Sequence, residues 1–531
     1  MDRSARSLER ARSASGRLAA GALRASPVAI VLAALALLAT GVSATSPTRA
    51  SDRVSDDRVT AWVLDAIRDD PRVDAAAVEV STDRGIVTLE GTVPTLAGRR
   101  YAVLSAMKIL GVLGVIDRLE VAATPRPDAL LAADVRRSLA NSAAIQSPDL
   151  RVSGRAGTVR LEGEVGSWAQ QRQAELLASG VRGVRAIENE LTVQATRARP
   201  DEALRADVVA TLERDVYLTR DGIAVVVEDG VVTLSGSVGS AFQKERATTA
   251  TRWIPDVRQV RNRLRVEWKA GSSDRVAPPL PRSDSRLEET IAAAFRQDDR
   301  VDAARVDVSV KDGRVVLSGR VAHAYERRIL EDDARNVVGV AWVTNRVEVV
   351  TGSRADRRIE MDVSEAFAID SALFEIPIDV AVDSGFVTLK GEVSSGYLRN
   401  HAGALAARVR GVTGIDNRLR VIDAGPVDDE RIAAEIAERL RRDAVTGPLA
   451  GRIAVEVKGG VVTLSGTVGR FAERRSAERI AARTPGVAEV RNRISVEDVP
   501  YPWQDHEGED EPGVPSWDHY EFDYPNLPWI A

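Results

Sequence analysis

Gly230-Val231-Val232-Thr233-Leu234-Ser235-Gly236-Ser237-Val238 decides the fold, because the chain carries this pattern six times. It returns almost unchanged at 460–468 and in altered form at 85–93, 157–165, 313–321 and 385–393. Every copy keeps glycine at its first and seventh places, Leu at its fifth and Val at its third and ninth. Successive copies start 72, 73, 83, 72 and 75 residues apart. Solenoid repeats run to roughly 20–50 residues, so this longer period predicts small domains in a row. Units of about 65–70 residues lie near the lower limit for folding alone.

The residues around each copy predict its surroundings. Asp56, Asp128, Asp201, Asp284, Asp356 and Asp429 each stand three residues before the first of three apolar residues spaced four apart, as in Asp201 with Leu204, Val208 and Leu212. That spacing places each triplet on one helix face. The aspartate reads as an N-terminal cap worth about 1 kcal/mol, and not as a catalytic acid. An alternating strand follows and ends on a glycine: Gly85, Gly157, Gly230, Gly313, Gly385 or Gly460. Asp229-Gly230 and Asp312-Gly313 between two apolar runs signal a tight hairpin. The second glycine of the copy (Gly91, Gly163, Gly236, Gly319, Gly391, Gly466) interrupts a strand, which predicts a bulge or the close approach of a helix. A phosphate-cradling loop is the sharper alternative, but the chain has no G-x-x-x-x-G-K-[ST] spacing and no dinucleotide fingerprint.

A second helix comes next, with an aromatic near its start in five repeats: Trp168, Phe242, Tyr325, Tyr397 and Phe471. A last alternating strand, such as 260–266, 415–421 or 490–496, closes the unit. The fold class expected is α+β, as six tandem αββαβ domains, each a three-stranded mixed sheet with two helices on one face. They are placed at 52–122, 127–194, 200–268, 284–350, 355–422 and 427–497. A Gly/Ser/Pro linker at 269–283 accounts for the single long step and divides the row into three plus three.

The two ends differ from this body. Residues 1–26 hold six Arg against Asp2 and Glu9, and an uncharged run spans 27–44. Residues 1–44 therefore read as a signal peptide or as a signal anchor, either of which puts the repeats outside the cytoplasmic membrane. Residues 498–531 carry no Lys or Arg and three of the eight Trp. Such acidity predicts a disordered tail, and its aromatics predict docking on a partner or on the protein's own basic faces. With these ends removed the net charge of −5 becomes nearly neutral, so no overall field gathers nucleic acid. The chain has no cysteine, hence no disulfide and no thiol nucleophile.

The capped helix, the Gly-x-Val-x-Leu-x-Gly-x-Val strand and the closing Gly-Val-x-x-Val-x-Asn-x-Leu-x-Val resemble the BON (bacterial OsmY and nodulation) domain. Residues 411–421 and 486–496 follow the closing element well, while Asp117 replaces its Asn in the first repeat. The resemblance covers roughly residues 52–497 in six copies. It implies an αββαβ fold, a periplasmic setting and binding to phospholipid surfaces or other envelope components, with OsmY-type osmotic-stress proteins nearest in kind. It brings no catalytic residues.

No enzyme is expected. Only four His occur, none with a metal-ligand spacing, and there is no G-x-S-x-G elbow. No cofactor and no metal are expected either. Two binding readings remain. In the first, Arg136, Arg137, Arg327, Arg328, Arg474 and Arg475 lie on exposed helix faces beside Trp168, Phe242, Tyr325, Tyr397 and Phe471, and meet anionic phospholipid. Arg263, Arg265, Arg418 and Arg420 add to this on the closing strands. Linked modules would gain avidity. In the second, an extended array works as a periplasmic scaffold or chaperone, pairing extended clients with its sheet edges. Attachment is expected to be peripheral, or through an inner-membrane anchor at residues 27–44.

Overall fold

A computed structural model describes residues 54–496, apart from 71, 146–148, 194–198, 219–221, 268–282, 353, 395, 423–427, 470 and 488. The leader, the linker and the acidic tail thus lie outside the described residues.

Repeat 1 comprises α1 (Asp56–Arg68), β1 (Val78–Asp83), β2 (Ile86–Val93), α2 (Leu96–Met107) and β3 (Gly114–Val121). Repeat 2 has α3 (Asp128–Asn141), β4 (Arg151–Arg155), β5 (Thr158–Val165), α4 (Trp168–Gly180) and β6 (Ala186–Val193). Repeat 3 has α5 (Asp201–Arg214), β7 (Ile223–Glu228), β8 (Val231–Val238), α6 (Ala241–Arg252) and β9 (Gln259–Val266). Repeat 4 has α7 (Asp284–Arg296), β10 (Val306–Lys311), β11 (Arg314–Val321) and α8 (Ala324–Arg335), and its closing strand is split into β12 (Trp342–Asn345) and β13 (Glu348–Val349). Repeat 5 has α9 (Asp356–Ile369), β14 (Ile378–Asp383), β15 (Phe386–Val393), α10 (Gly396–Ala407) and β16 (Gly414–Val421). Repeat 6 has α11 (Asp429–Arg442), β17 (Ile453–Lys458), β18 (Val461–Val468), α12 (Phe471–Ala482) and β19 (Glu489–Val496).

In each sheet the repeated motif is the central strand. It runs antiparallel to the first strand and parallel to the closing one, as in Val225↔Leu234 and Leu234↔Asn262. The helices cover one face: Val232 and Leu234 are fully buried against Leu204, Val208 and Leu212, while the other face of the sheet meets solvent. Each repeat owns an apolar cluster of this kind.

The aspartates at the helix starts do not cap their own helices. The Asp201 carboxylate accepts from the backbone N–H of Asp229 (2.8 Å) and of Gly230 (3.1 Å), the two turn residues of the β7–β8 hairpin. Both turn residues have positive φ, 49° and 71°. Their amides therefore point together away from the ladder, and one carboxylate collects both. The same clasp forms from Asp56, Asp128, Asp284, Asp356 and Asp429. The second glycine is also explained differently from expectation. A Cβ on Gly236 would sit 1.8 Å from the carbonyl oxygen of Gly222, so the close neighbour is the lead-in to the first strand and not a helix. Asp117, in place of the usual Asn, keeps the closing strand tied to the second helix by pairing with Arg99 at 2.9 Å. In repeat 3 the Asn262 amide does this by donating to Lys244 O.

The clasp predicts a specific mutational pattern. Asp201→Ala should cost about 1–3 kcal/mol in urea unfolding, the usual penalty for removing an acceptor of charged hydrogen bonds. Asp201→Ser, a good helix cap, should fail to restore it, and amide exchange should quicken at Gly230. Full recovery by Ser would favour the capping role.

Candidate functional site

The row of domains is folded back on itself. Just past its two helices, each repeat presents short backbone edges that pair with another repeat. Ala143 N donates to Arg408 O and Arg410 N to Asn141 O, while Arg182 N donates to Ile369 O and Ser371 N to Gly180 O, joining repeats 2 and 5. Leu110 N donates to Arg442 O and Ala444 N to Lys108 O, joining repeats 1 and 6. Val216 N to Asn336 O, Val338 N to Arg214 O and Asp299 N to Trp253 O join repeats 3 and 4. Three nested pairs therefore form, and no extended array.

At the positions equivalent to these donors, three residues are proline: Pro71, Pro255 and Pro485. Proline has no N–H to give. Among the described residues, the nine bonds occur where a donor exists. The first helices of repeats 1 and 6 are joined by side chains as well: Arg442 meets Asp69 at 2.5 Å and Arg439 meets it at 3.5 Å.

Around the pairs the second helices converge. Helix α2 packs on both α4 and α6, and Arg172 of α4 donates to Arg252 O and Arg258 O of repeat 3. Helix α8 packs on α10, and Arg474 of α12 donates to Ala341 O of repeat 4. Neighbours also enter one another's cores: Leu96 joins that of repeat 2, Ala241 that of repeat 1 and Tyr217 that of repeat 6. What a single repeat would show as a free helix face is interior here.

That interior receives most of the aromatics and arginines read as lipid contacts. Phe242 lies edge-on to Tyr217, with ring centres 5.3 Å apart. The Tyr325 hydroxyl donates to Arg300 O, and burial raises its pKa; burial raises that of Tyr397 too. Arg327 donates to Asn345 O. Arg328 is pushed down to about 10 by burial. Arg474 holds the carbonyls of Ile494 and Asn492, and the Nε of Arg475 is enclosed. Arg137 pairs across repeats with Glu365 at 2.6 Å. Trp168 is half-buried at the start of α4, and nothing is described of the Phe471 side chain. The expected exposed helix face is thus corrected for Arg327, Arg328, Arg474 and Arg475, which are all partly buried: Arg474 reaches Ala341 O of repeat 4, while Arg327 bonds within its own repeat. Of the helix arginines named, Arg136 alone is exposed, and it donates to Val152 O.

Two features of different character result. One is a chamber of about 1000 Å³ among repeats 1, 2, 4, 5 and 6, lined by Tyr101, Leu177, Arg328, Tyr397, Arg408 and Pro485. The other is the outward face of the repeat 3 sheet. Register places Arg261, Arg263 and Arg265 of β9 on its solvent side beside Val226, which is 50% exposed. In repeats 1 and 5 the corresponding closing-strand arginines meet carboxylates of the central strand, as Arg118 does Glu90 and Arg420 does Glu392. On β9, Arg265 reaches Glu267 only at 4.0 Å. Arg263 and Arg265 were legible in the sequence, and Arg261 was recoverable from the same alternation.

Against known proteins, the model of the BON domain matches residues 55–123, 127–195, 200–267, 283–351, 355–423 and 428–498. The chain belongs to the BON domain family. Osmotically-inducible protein Y of Escherichia coli (strain K12) is 32% identical over 146 residues, 26% of this chain and 73% of that protein. Outer membrane lipoprotein DolP of Haemophilus influenzae is 28% identical over 144 residues, 27% of this chain and 71% of that protein. The C-terminal domain of CdsD, a type III secretion structural protein of Chlamydia trachomatis, aligns at 14% identity over 36% of this chain and 90% of that one, with a TM-score of 0.12. The six BON repeats carry the αββαβ order in every copy, with the closing strand split in repeat 4.

The charged layer between the second helices of the first three BON repeats gives a prediction. Burial lifts the Glu245 carboxyl from 4.5 to about 7, against the opposing pull of Arg252, Arg100 and Lys244. The folded state then keeps a proton that the unfolded chain releases, so this group's contribution falls as pH rises from about 4.5 to about 7. Urea midpoints at pH 5 and pH 8 should show the fall, and Glu245→Gln should flatten it. An unchanged slope in the variant would refute this assignment.

Proposed function

We propose that this protein is an exported, non-catalytic binding protein that associates peripherally with anionic phospholipid surfaces of the bacterial envelope, during osmotic or envelope stress. The names of the relatives, an osmotically inducible protein and an outer-membrane lipoprotein, support that setting and a periplasmic location. The observation that carries the lipid contact is the outward row Arg261, Arg263 and Arg265, which faces Thr233, Ser235 and Ser237 where the equivalent strands of repeats 1 and 5 meet Glu90 and Glu392. Three guanidinium groups on alternate residues of one flat strand reach a headgroup plane together. Each basic residue near such a surface contributes about 1 kcal/mol. Val226 and the partly buried Val231 give the same face an apolar centre. Arg136 is a further exposed contact. Arg137 and Arg474 instead link repeats, through Glu365 and Ala341 O, while Arg327 and Tyr325 bond within repeat 4.

Co-sedimentation with phosphatidylglycerol vesicles at low salt tests this reading. The chain should bind and be released by added salt, and joint replacement of Arg261, Arg263 and Arg265 by Gln should weaken binding about a hundredfold. Absence of binding at low salt would overturn the lipid reading. Suppression of client aggregation in that case would favour the scaffold or chaperone role.

A further inference from the structure

Repeats 4 and 6 meet along a groove of about 250 Å³ beside the start of β19, and one sign of charge prevails in its lining. Arg335 ends α8, Arg474, Arg475 and Arg479 belong to α12, Arg483 stands just past it and Arg491 lies on β19. Two glutamates, Glu478 and Glu489, line the groove with them. Every one of these arginines is engaged within the fold: Arg335 meets Glu331 at 2.5 Å, Arg491 meets Glu489 at 2.8 Å, Arg479 donates to the Ser476 hydroxyl and Arg474 to Ala341 O. Even with Glu331 counted, six positive charges stand against three negative ones. The attraction for an acidic chain is therefore that of the summed field, which needs no free cation. Trp342, at the head of β12, lines the same groove and is 42% exposed. The volume falls below the roughly 300–1,000 Å³ of sites that enclose a small molecule, so the groove suits the side chains of a segment laid across it.

The chain itself carries a segment of opposite character. Tyr501-Pro502-Trp503-Gln504-Asp505-His506-Glu507-Gly508-Glu509-Asp510-Glu511 holds five carboxylates, a tyrosine and a tryptophan, and no Lys or Arg. It lies outside the described residues. Its attachment point does not: β19 borders the groove at Glu489–Asn492 and ends at Val496, four residues farther on. Four residues of strand cover about 13 Å, and an extended chain spans up to about 3.5 Å per residue. Four or five residues beyond Val496 therefore bring the chain back to the groove, and Tyr501 is within reach. So short a tether holds the segment at an effective concentration on the order of millimolar, where individually weak contacts suffice.

We propose that residues 501–511 fold back onto this groove, with their carboxylates over its arginine-rich wall and Trp503 against Trp342, and so strap repeat 6 to repeat 4. Ion pairing supplies the attraction, and the aromatic contact fixes the register. The strap ties two repeats that the backbone-bonded 1–6, 2–5 and 3–4 pairs leave unjoined. It involves neither the arginine row of repeat 3 nor a membrane, so it stands whether or not the vesicle result holds.

The chain has no cysteine, so disulfide trapping in the full chain provides the test. Gly508→Cys is combined either with Asn400→Cys, at the groove, or with Val226→Cys, on the outward face of repeat 3. The groove pair should close at least about tenfold faster than the Val226 pair. Joint replacement of Asp505, Glu507, Glu509, Asp510 and Glu511 by Asn or Gln should abolish that excess, and high salt should do the same. A tail held nearby only by its tether would keep its rate in both cases. Equal rates for the two pairs, a faster Val226 pair, or an excess that survives both charge neutralisation and salt would each overturn the proposal. Disulfide-linked dimers in place of closed monomers would overturn it too, by giving the groove to the tail of a second copy.

Discussion

Backbone donors at two positions per repeat govern how the six BON domains assemble. One lies two residues beyond the start of the turn after the first helix, and the other lies just past the second helix. Where both are present, as in the 2–5 pair, four N–H···O bonds tie two repeats in the manner of short antiparallel edges. Where Pro255 removes one donor, the 3–4 pair keeps three. In the 1–6 pair, where Pro485 has no N–H to give, two backbone bonds are kept among the described residues, and Asp69 pairs with Arg439 and Arg442 between the first helices. A missing N–H is a local property, and here it grades the strength of three interfaces in one molecule.

How far the sequence revealed this depends on the distance between partners. The αββαβ order was legible because its signals are local: a glycine-centred hairpin, alternating strands, and triplets spaced four apart. The aspartates misled because a carboxylate at a helix start has a familiar local use. Its actual partners lie 28 or 29 residues away in five repeats, and are identified only once β7 and β8, for example, are seen to turn beside α5. Gly236 misled less. The strand interruption was correct, but the crowding atom is Gly222 O. The second-helix arginines misled most. Within one repeat their helix has a sheet-facing side and a free side, and charge on the free side reads as solvated. The cover comes from other repeats, as Ala341 O does for Arg474, 133 residues distant. No local pattern encodes that.

The interior that results is polar where six apolar cores meet. Arg100, Arg172, Arg252 and Glu245 lie between helices rather than in any apolar cluster, and burial displaces all four from their ordinary pKa values. Buried charge of this kind is weak support for stability. Its value lies in selection. Six similar units with similar apolar faces have many ways of stacking, and most would leave a guanidinium without a carbonyl or carboxylate. Arg172 on Arg252 O and Arg474 on Ala341 O accept one arrangement.

The 1–6 pair then has a particular mechanical standing. It joins the first repeat to the last, so no short connection holds its members near each other; its closure is maintained by contacts alone. One of its edges has backbone bonds, and ion pairs at a partly exposed aspartate, which salt weakens, join its first helices. The 2–5 and 3–4 pairs carry more backbone links among the described residues, four and three against two. Rising ionic strength weakens the Asp69 ion pairs between the first helices of repeats 1 and 6, so salt acts on the pair that has the fewest backbone bonds among the described residues.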